Sequence, residues 1–134
     1  MNLAERAERT EAVVARFRDR PFSWTGRRTC IHLARAQMRA MGHRPPKLPD
    51  MRSALTAKRA LAATGHNDLA SLLDSMLPRI APLDMWIGDL ALLDGEPPFD
   101  ALVIGAGSMV FGYHQHAIGI APIDDAAIRY AWRL

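Results

Sequence analysis

The chain has a single cysteine, Cys30, placed where a nucleophile would be useful. It follows Trp24, Gly26, Arg27 and Arg28 and opens a segment whose apolar residues recur at helical spacing. A helix N-terminus presents unpaired backbone N–H groups and partial positive charge, which stabilise a thiolate. The two arginines act in the same direction. A cysteine nucleophile also needs an imidazole base within hydrogen-bond reach and a group that orients this base. His32 lies two residues into the same helix and should point away from the Cys30 side chain. His43 and His66 fall in connectors, which leaves His114 and His116, on a turn after Tyr113, as candidate bases. On a strand this His-x-His pair would set both imidazoles on one face as metal ligands, but no third ligand accompanies it. No metal and no other cofactor is expected. Cys30 also fits a simpler role as a small core residue, because Ala34, Met38 and Met41 continue the same face.

The elements that must position these residues can be read from periodicity and punctuation. Asn2 to Arg20 reads as a helix, with Leu3, Ala7, Val14 and Phe17 near one face, Asn2 as N-cap and Pro21 as terminator. Pro21 to Thr29 is a loop, and a second helix runs from about Cys30 to Met41 with Gly42 as a left-handed cap. Pro45, Pro46 and Pro49 stiffen the connector that follows. Ser53 can cap a third helix to about Thr64, and Asn67 or Asp68 a short fourth one bearing Leu69, Leu72, Leu73 and Met76. Beyond Pro82 the pattern becomes strand-like: Asp89–Asp94, Ala101–Ile104, Ser108–Tyr113, Ala117–Ala121 and Tyr130–Leu134. Gly105 to Ser108 reads as a hairpin turn, and Ile123–Ile128 as one helical turn capped by Asp124 and Asp125. Helices first and an antiparallel sheet second make the class α+β, with N-terminal helices packed on a small C-terminal sheet. One domain over 1–134 is expected, helical to about 80 and strand-rich from about 84.

The stretch Pro21-Phe22-Ser23-Trp24-x-Gly-x-x-x-Cys30, followed after a helical middle by Gly88-Asp89-Leu90-Ala91-Leu92-Leu93, resembles the NlpC-type, papain-like cysteine peptidases. Those enzymes place the nucleophile at a helix start after an aromatic and glycine loop. A Gly-Asp-Leu then opens the strands that hold the base. The chain is still more similar to a group of small phage and prophage tail-cluster proteins that look like degenerate relatives of these peptidases. In that group a leading helix, a Pro-Phe-x-Trp-Gly segment, Gly-Asp-Leu and a closing Ala-Trp-Arg follow one another, as Ala131-Trp132-Arg133 does here. Two departures bear on activity. The peptidases have Asp before the nucleophile, and Thr29 stands there in this chain. Their base is a histidine at the start of the strand after Gly-Asp-Leu, where this chain reads Glu96-Pro97-Pro98-Phe99-Asp100-Ala101-Leu102. The resemblance therefore implies a fold that kept its cysteine and lost its reaction.

Composition and charge narrow the remaining classes. The chain has 134 residues, 49% of them hydrophobic and 23% charged, which is ordinary globular usage and excludes wholesale disorder. A single cysteine excludes an intramolecular disulfide framework. No apolar run approaches the roughly 18 residues of a membrane span. Met1 to Arg20 lacks the apolar block of a signal peptide, so folding in a cytoplasm is expected, and the resemblance implies the host cytoplasm during assembly and then a virion tail. The net charge of +3 is uneven: residues 1–66 hold 14 Lys and Arg against 5 Asp and Glu, and residues 67–134 hold 3 against 9. This polarity suits copies or neighbours packed head to tail. It also raises nucleic acid as a partner, but the basic residues are spread over several segments without interleaved aromatics to stack bases. The leading expectation is a non-enzymatic tail-tip or assembly protein whose partners are other tail proteins. The alternative is a hydrolase of peptidoglycan peptides, with Cys30 as nucleophile and His114 or His116 as base. Trp24, Trp86 and Trp132 are expected as core or interface anchors.

Overall fold

The architecture follows from local rules at the helix ends. In the computed structural model, which describes residues 1–94, 101–113, 118–124 and 126–134, helix α1 spans Leu3–Phe17. The Asn2 side chain accepts from the Glu5 backbone N–H at 2.8 Å, satisfying a first-turn donor that has no partner within the helix. α1 ends at Phe17 rather than Arg20, because the chain tightens into a turn closed by the Arg20 N–H on the Phe17 carbonyl. α2 spans Cys30–Ala40, and Gly42 follows it in the left-handed region at φ 91°. α3 (Ala54–Ala63) starts from a reciprocal capping box between Ser53 and Thr56, and α4 (Leu69–Asp74) from Asp68.

Among the described residues six strands form one antiparallel sheet: β1 (Arg79–Ile80), β2 (Leu90–Leu93), β3 (Ala101–Ala106), β4 (Met109–Tyr113), β5 (Ile120–Ile123) and β6 (Ile128–Trp132). Their spatial order is β1-β6-β2-β3-β4-β5. The expected α+β class, with helices first and sheet second, is what the chain adopts. Leu90, Leu92, Leu102, Ile104 and Trp132 turn toward the helices and join Val13, Val14, Phe17, Leu33, Met38 and Leu73 in the main core. The alternate residues Ala91, Val103 and Val110 face a smaller cluster completed by Met85, Ile123 and Ile128. Both faces of β2 are thus covered, which explains its unbroken apolar run.

Further details differ from the sequence expectation. Leu3 is 62% exposed, and the buried face of α1 instead begins with Arg6 and Thr10, because a buried carboxylate lies opposite. Arg79–Ile80 forms a short edge strand between Pro78 and Pro82, pairing with β6 through Arg79↔Trp132 and Ile80↔Ala131. The last strand is Ile128–Trp132 rather than Tyr130–Leu134, in register with β2 through Leu90↔Trp132. No helical turn occurs among the described residues from Ile123 to Ile128; Asp124 lies in an exposed bend, and Asp125 is outside the described residues. The hairpin between β3 and β4 turns at Gly107-Ser108, as expected.

Candidate functional site

Cys30 is the first residue of α2, and Thr29 is the N-cap. Thr29 is fully buried, and its Oγ1 accepts from the N–H groups of Ile31 at 3.2 Å and His32 at 3.4 Å. With both lone-pair directions engaged, the hydroxyl proton goes to His32 Nδ1, 2.8 Å away. That choice leaves Nε2–H as the donor of a neutral His32 ring. The imidazole is therefore committed to Thr29 and to its own helix. Burial first, and then Arg27 and Arg35, hold the His32 pKa below the ordinary imidazole value.

The half-buried Cys30 packs against the main core. Burial pushes its thiol above the ordinary value, although the backbone N–H groups of Leu102, Cys30 and Ile31 favour the thiolate. The helix N-terminus thus acts in the expected direction and desolvation outweighs it. Leu102 is the second residue of β3, the strand that follows Gly88-Asp89-Leu90. What β3 sets against the sulfur is the backbone N–H of Leu102, a donor that accepts no proton.

The aromatic loop closes over the same place. Phe22 meets Trp24 edge-on at 5.5 Å and Tyr113, the last residue of β4, at 5.4 Å. Tyr113 is close enough to Cys30 and Arg28 for their charges to act on it, and burial drives its phenol up to about 12. Its Oη is enclosed and has no hydrogen-bond partner among the described residues. The tertiary structure thus gathers Phe22, Trp24, Cys30, Leu102 and Tyr113, of which sequence reasoning had singled out only Trp24 and Cys30 as individual residues. Nothing in the local pattern marks Tyr113. His114 and His116, the expected bases, lie outside the described residues. No group of three or more metal-ligating side chains occurs among the described residues.

A second constellation surrounds Asp89, which is fully buried. Its Oδ1 accepts from Arg6 Nη2 at 2.7 Å and from the Leu134 backbone N–H at 3.0 Å. Its Oδ2 accepts from the Trp86 N–H at 2.8 Å and from Arg133 Nε at 3.0 Å. Arg6 also donates to the carbonyls of Ile87 and Leu134, so the charge is satisfied on both sides. The guanidinium of Arg133 lies 3.6 Å from the centre of the half-exposed Trp86 ring. Trp132 is fully buried and donates its indole N–H to Asp74 Oδ1 at 2.8 Å, so it is an interior anchor and not an interface residue. Gly88 has φ 93°, and a Cβ there would meet Thr10 Oγ1 at 2.8 Å. Gly88 makes the turn, Asp89 ties α1 to the residues after β6, and Leu90 fills the core. The Gly-Asp-Leu and Ala-Trp-Arg segments are one physical unit. Arg6 was missed from the sequence, although the spacing Arg6, Thr10, Val13, Val14, Phe17 continues one helical face through it.

No curated protein and no solved structure matches this chain. The family model described as a domain of unknown function, DUF6950, matches residues 1–134, and the chain therefore belongs to that family.

Proposed function

We propose that this protein is a non-catalytic, tail-associated structural or assembly protein of a phage or prophage, with a degenerate NlpC-like fold. The observation that carries the loss of catalysis is the surroundings of Cys30. Its thiol is desolvated and raised, Thr29 replaces the preceding acid, and Ala101 and Leu102 occupy the start of the strand after Gly-Asp-Leu. A thiol with a raised pKa and no adjacent base among the described residues has too little thiolate for acyl transfer at neutral pH. The tail assignment rests on the resemblance of the Pro-Phe-x-Trp, Gly-Asp-Leu and Ala-Trp-Arg segments, taken in order. Surface complementarity then carries the function, and the exposed Leu83 and Trp86 beside the Asp89 tie offer an apolar contact of the kind interfaces use. Head-to-tail charge pairing is less favoured as the means. Asp74, Asp89 and Asp94 of the acidic half already pair with Arg79, with Arg6 and Arg133, and with Arg129.

The test is affinity capture of the tagged chain from phage-producing cells, in wild-type form and as Cys30→Ala and Leu83→Asp. Tail proteins should be captured equally by wild type and Cys30→Ala and lost with Leu83→Asp at unchanged melting temperature. Cleavage of peptidoglycan stem peptides by the wild type but not by Cys30→Ala would overturn the reading. One observation favours that alternative hydrolase: Tyr113, within electrostatic reach of Cys30, is followed directly in the chain by His114.

A further inference from the structure

The surplus positive charge of the first half is concentrated. Arg16 of α1, Arg27 of the aromatic loop, Arg35 and Arg39 of α2, and Lys47 of the proline connector line one cleft of about 690 Å³, together with His32. No acidic residue is among the lining groups, and none of these five cations has an ion-pair partner among the described residues. We propose that this cleft binds a small ligand carrying two or more linked phosphate groups. The proposal is independent of whether Cys30 reacts.

Four observations support it. The first is the unneutralised field. Five like charges around one concavity repel one another, and the depressed pKa of His32 registers Arg27 and Arg35 as two of the sources. Such an arrangement lowers stability unless an anion completes it. The second is the chemistry of the donors. Four of the five cations are arginines, whose planar forks match phosphate oxygens two at a time. The neutral His32 ring adds an Nε2–H donor, because Nδ1 is held by Thr29.

The third is backbone strain at the lip. Arg27 has φ 57°, the only non-glycine in the left-handed region among the described residues. The loop that holds it is closed by reciprocal backbone hydrogen bonds of 2.9 Å between Ser23 and Arg28. A side chain at such a φ is strained relative to glycine, and such strain concentrates where function requires it. Glycine is next door at Gly26, so the strained position carries a guanidinium although a glycine would fit its backbone better. The fourth is placement of the connector. Arg35 Nε donates to the Pro46 carbonyl at 3.0 Å, which fastens the Lys47 segment over α2 and keeps the cleft walled on that side.

Size and shape select the ligand class. A concavity of about 690 Å³ is that of a small-molecule site. Single-stranded nucleic acid fits less well, since Phe17, the aromatic side chain of the apolar lining, is buried and offers no face on which a base could stack.

The experiment is calorimetric titration of the full chain with sodium tripolyphosphate and, separately, ATP, at two salt concentrations. One-to-one saturable binding that weakens with salt is expected. Arg39→Gln and Arg27→Gly should each weaken it about tenfold, the loss of one charge-assisted contact pair. Arg27→Gly is the decisive variant, because relief of the left-handed strain should raise the melting temperature while affinity falls. Arg59→Gln, an exposed cation on α3 outside the cleft, should leave binding unchanged. Equal affinity for the two ligands would assign the site to the phosphate chain alone, and tighter ATP binding to a nucleotide. No saturable heat, equal weakening by Arg59→Gln, or preference for a short DNA duplex would overturn the proposal.

Discussion

Arg6 Nη2 lies 2.7 Å from Asp89 Oδ1, a pair formed across 83 residues of sequence, with side chains 6% and 0% exposed. Removing one member of a buried, fully hydrogen-bonded ion pair leaves an uncompensated charge and typically costs about 3–5 kcal/mol. Asp89→Asn keeps the shape and removes the charge that Arg6 and Arg133 share. It should lower the urea midpoint by a corresponding amount, a large fraction of a typical domain's stability of about 5–15 kcal/mol. Arg129→Gln, whose Asp94 partner is largely exposed, should cost under about 1 kcal/mol and serves as the comparison.

Gly88 is held at φ 93° beneath Thr10, Met41 and Gln37, so alanine there meets both strain and a crowded neighbour. The left-handed region alone costs about 1–2 kcal/mol, and displacing Thr10 and Gln37 disturbs the bond from Gln37 Nε2 to Thr10 Oγ1. Gly88→Ala should therefore destabilise by about 2 kcal/mol or more in denaturant unfolding. Gly42→Ala, left-handed but in open space, should lose only the conformational part.

The raised thiol of Cys30 has a directional consequence. Iodoacetamide should modify the folded protein slowly at pH 7, and half-maximal reactivity should lie above the ordinary thiol value of 9.0. The folded state keeps its proton where the unfolded chain releases it. Its contribution to stability is therefore present below about pH 9 and is lost as pH rises from there through the folded pKa. An apparent pKa below 7 in the alkylation profile would reinstate Cys30 as a nucleophile.

For His32 the sign is opposite. Burial, Arg27 and Arg35 depress its pKa, so in the window between the folded and unfolded values the unfolded chain binds more protons. Stability should be intact above about pH 6.5 and decline as pH falls below it toward the lower folded value. Proton NMR of the His32 ring should show a midpoint below the ordinary imidazole value, and Arg35→Gln should move it upward.

The helix starts and stops were legible because capping and periodicity act within a few residues. Asn2, Ser53 and Asp68 each bond an N–H three residues ahead, and Gly42 has the backbone freedom its turn needs. The strands near 90–93, 101–106 and 109–113 were legible for the same reason: short apolar runs punctuated by glycine announce themselves locally. The two-residue edge strand at Arg79–Ile80 was not, since its only claim to be a strand is the neighbour β6, some fifty positions along the chain. The burial of Arg6 was not legible either, because nothing in α1 says that a buried carboxylate will lie opposite.

The functional reading divides along the same line. The sequence alone determined the α+β class, the place of Cys30 at a helix start and the excess of arginine in the first half. Only the tertiary structure decided that Cys30 faces Leu102 and the core, that Arg6 and Arg133 share Asp89, and that Arg16, Arg27, Arg35, Arg39 and Lys47 surround one cleft. Residue type and short spacing determine what a side chain can do. Desolvation and charge pairing depend on which distant segments pack beside it, and those segments come together only when the sheet forms and the helices dock on it.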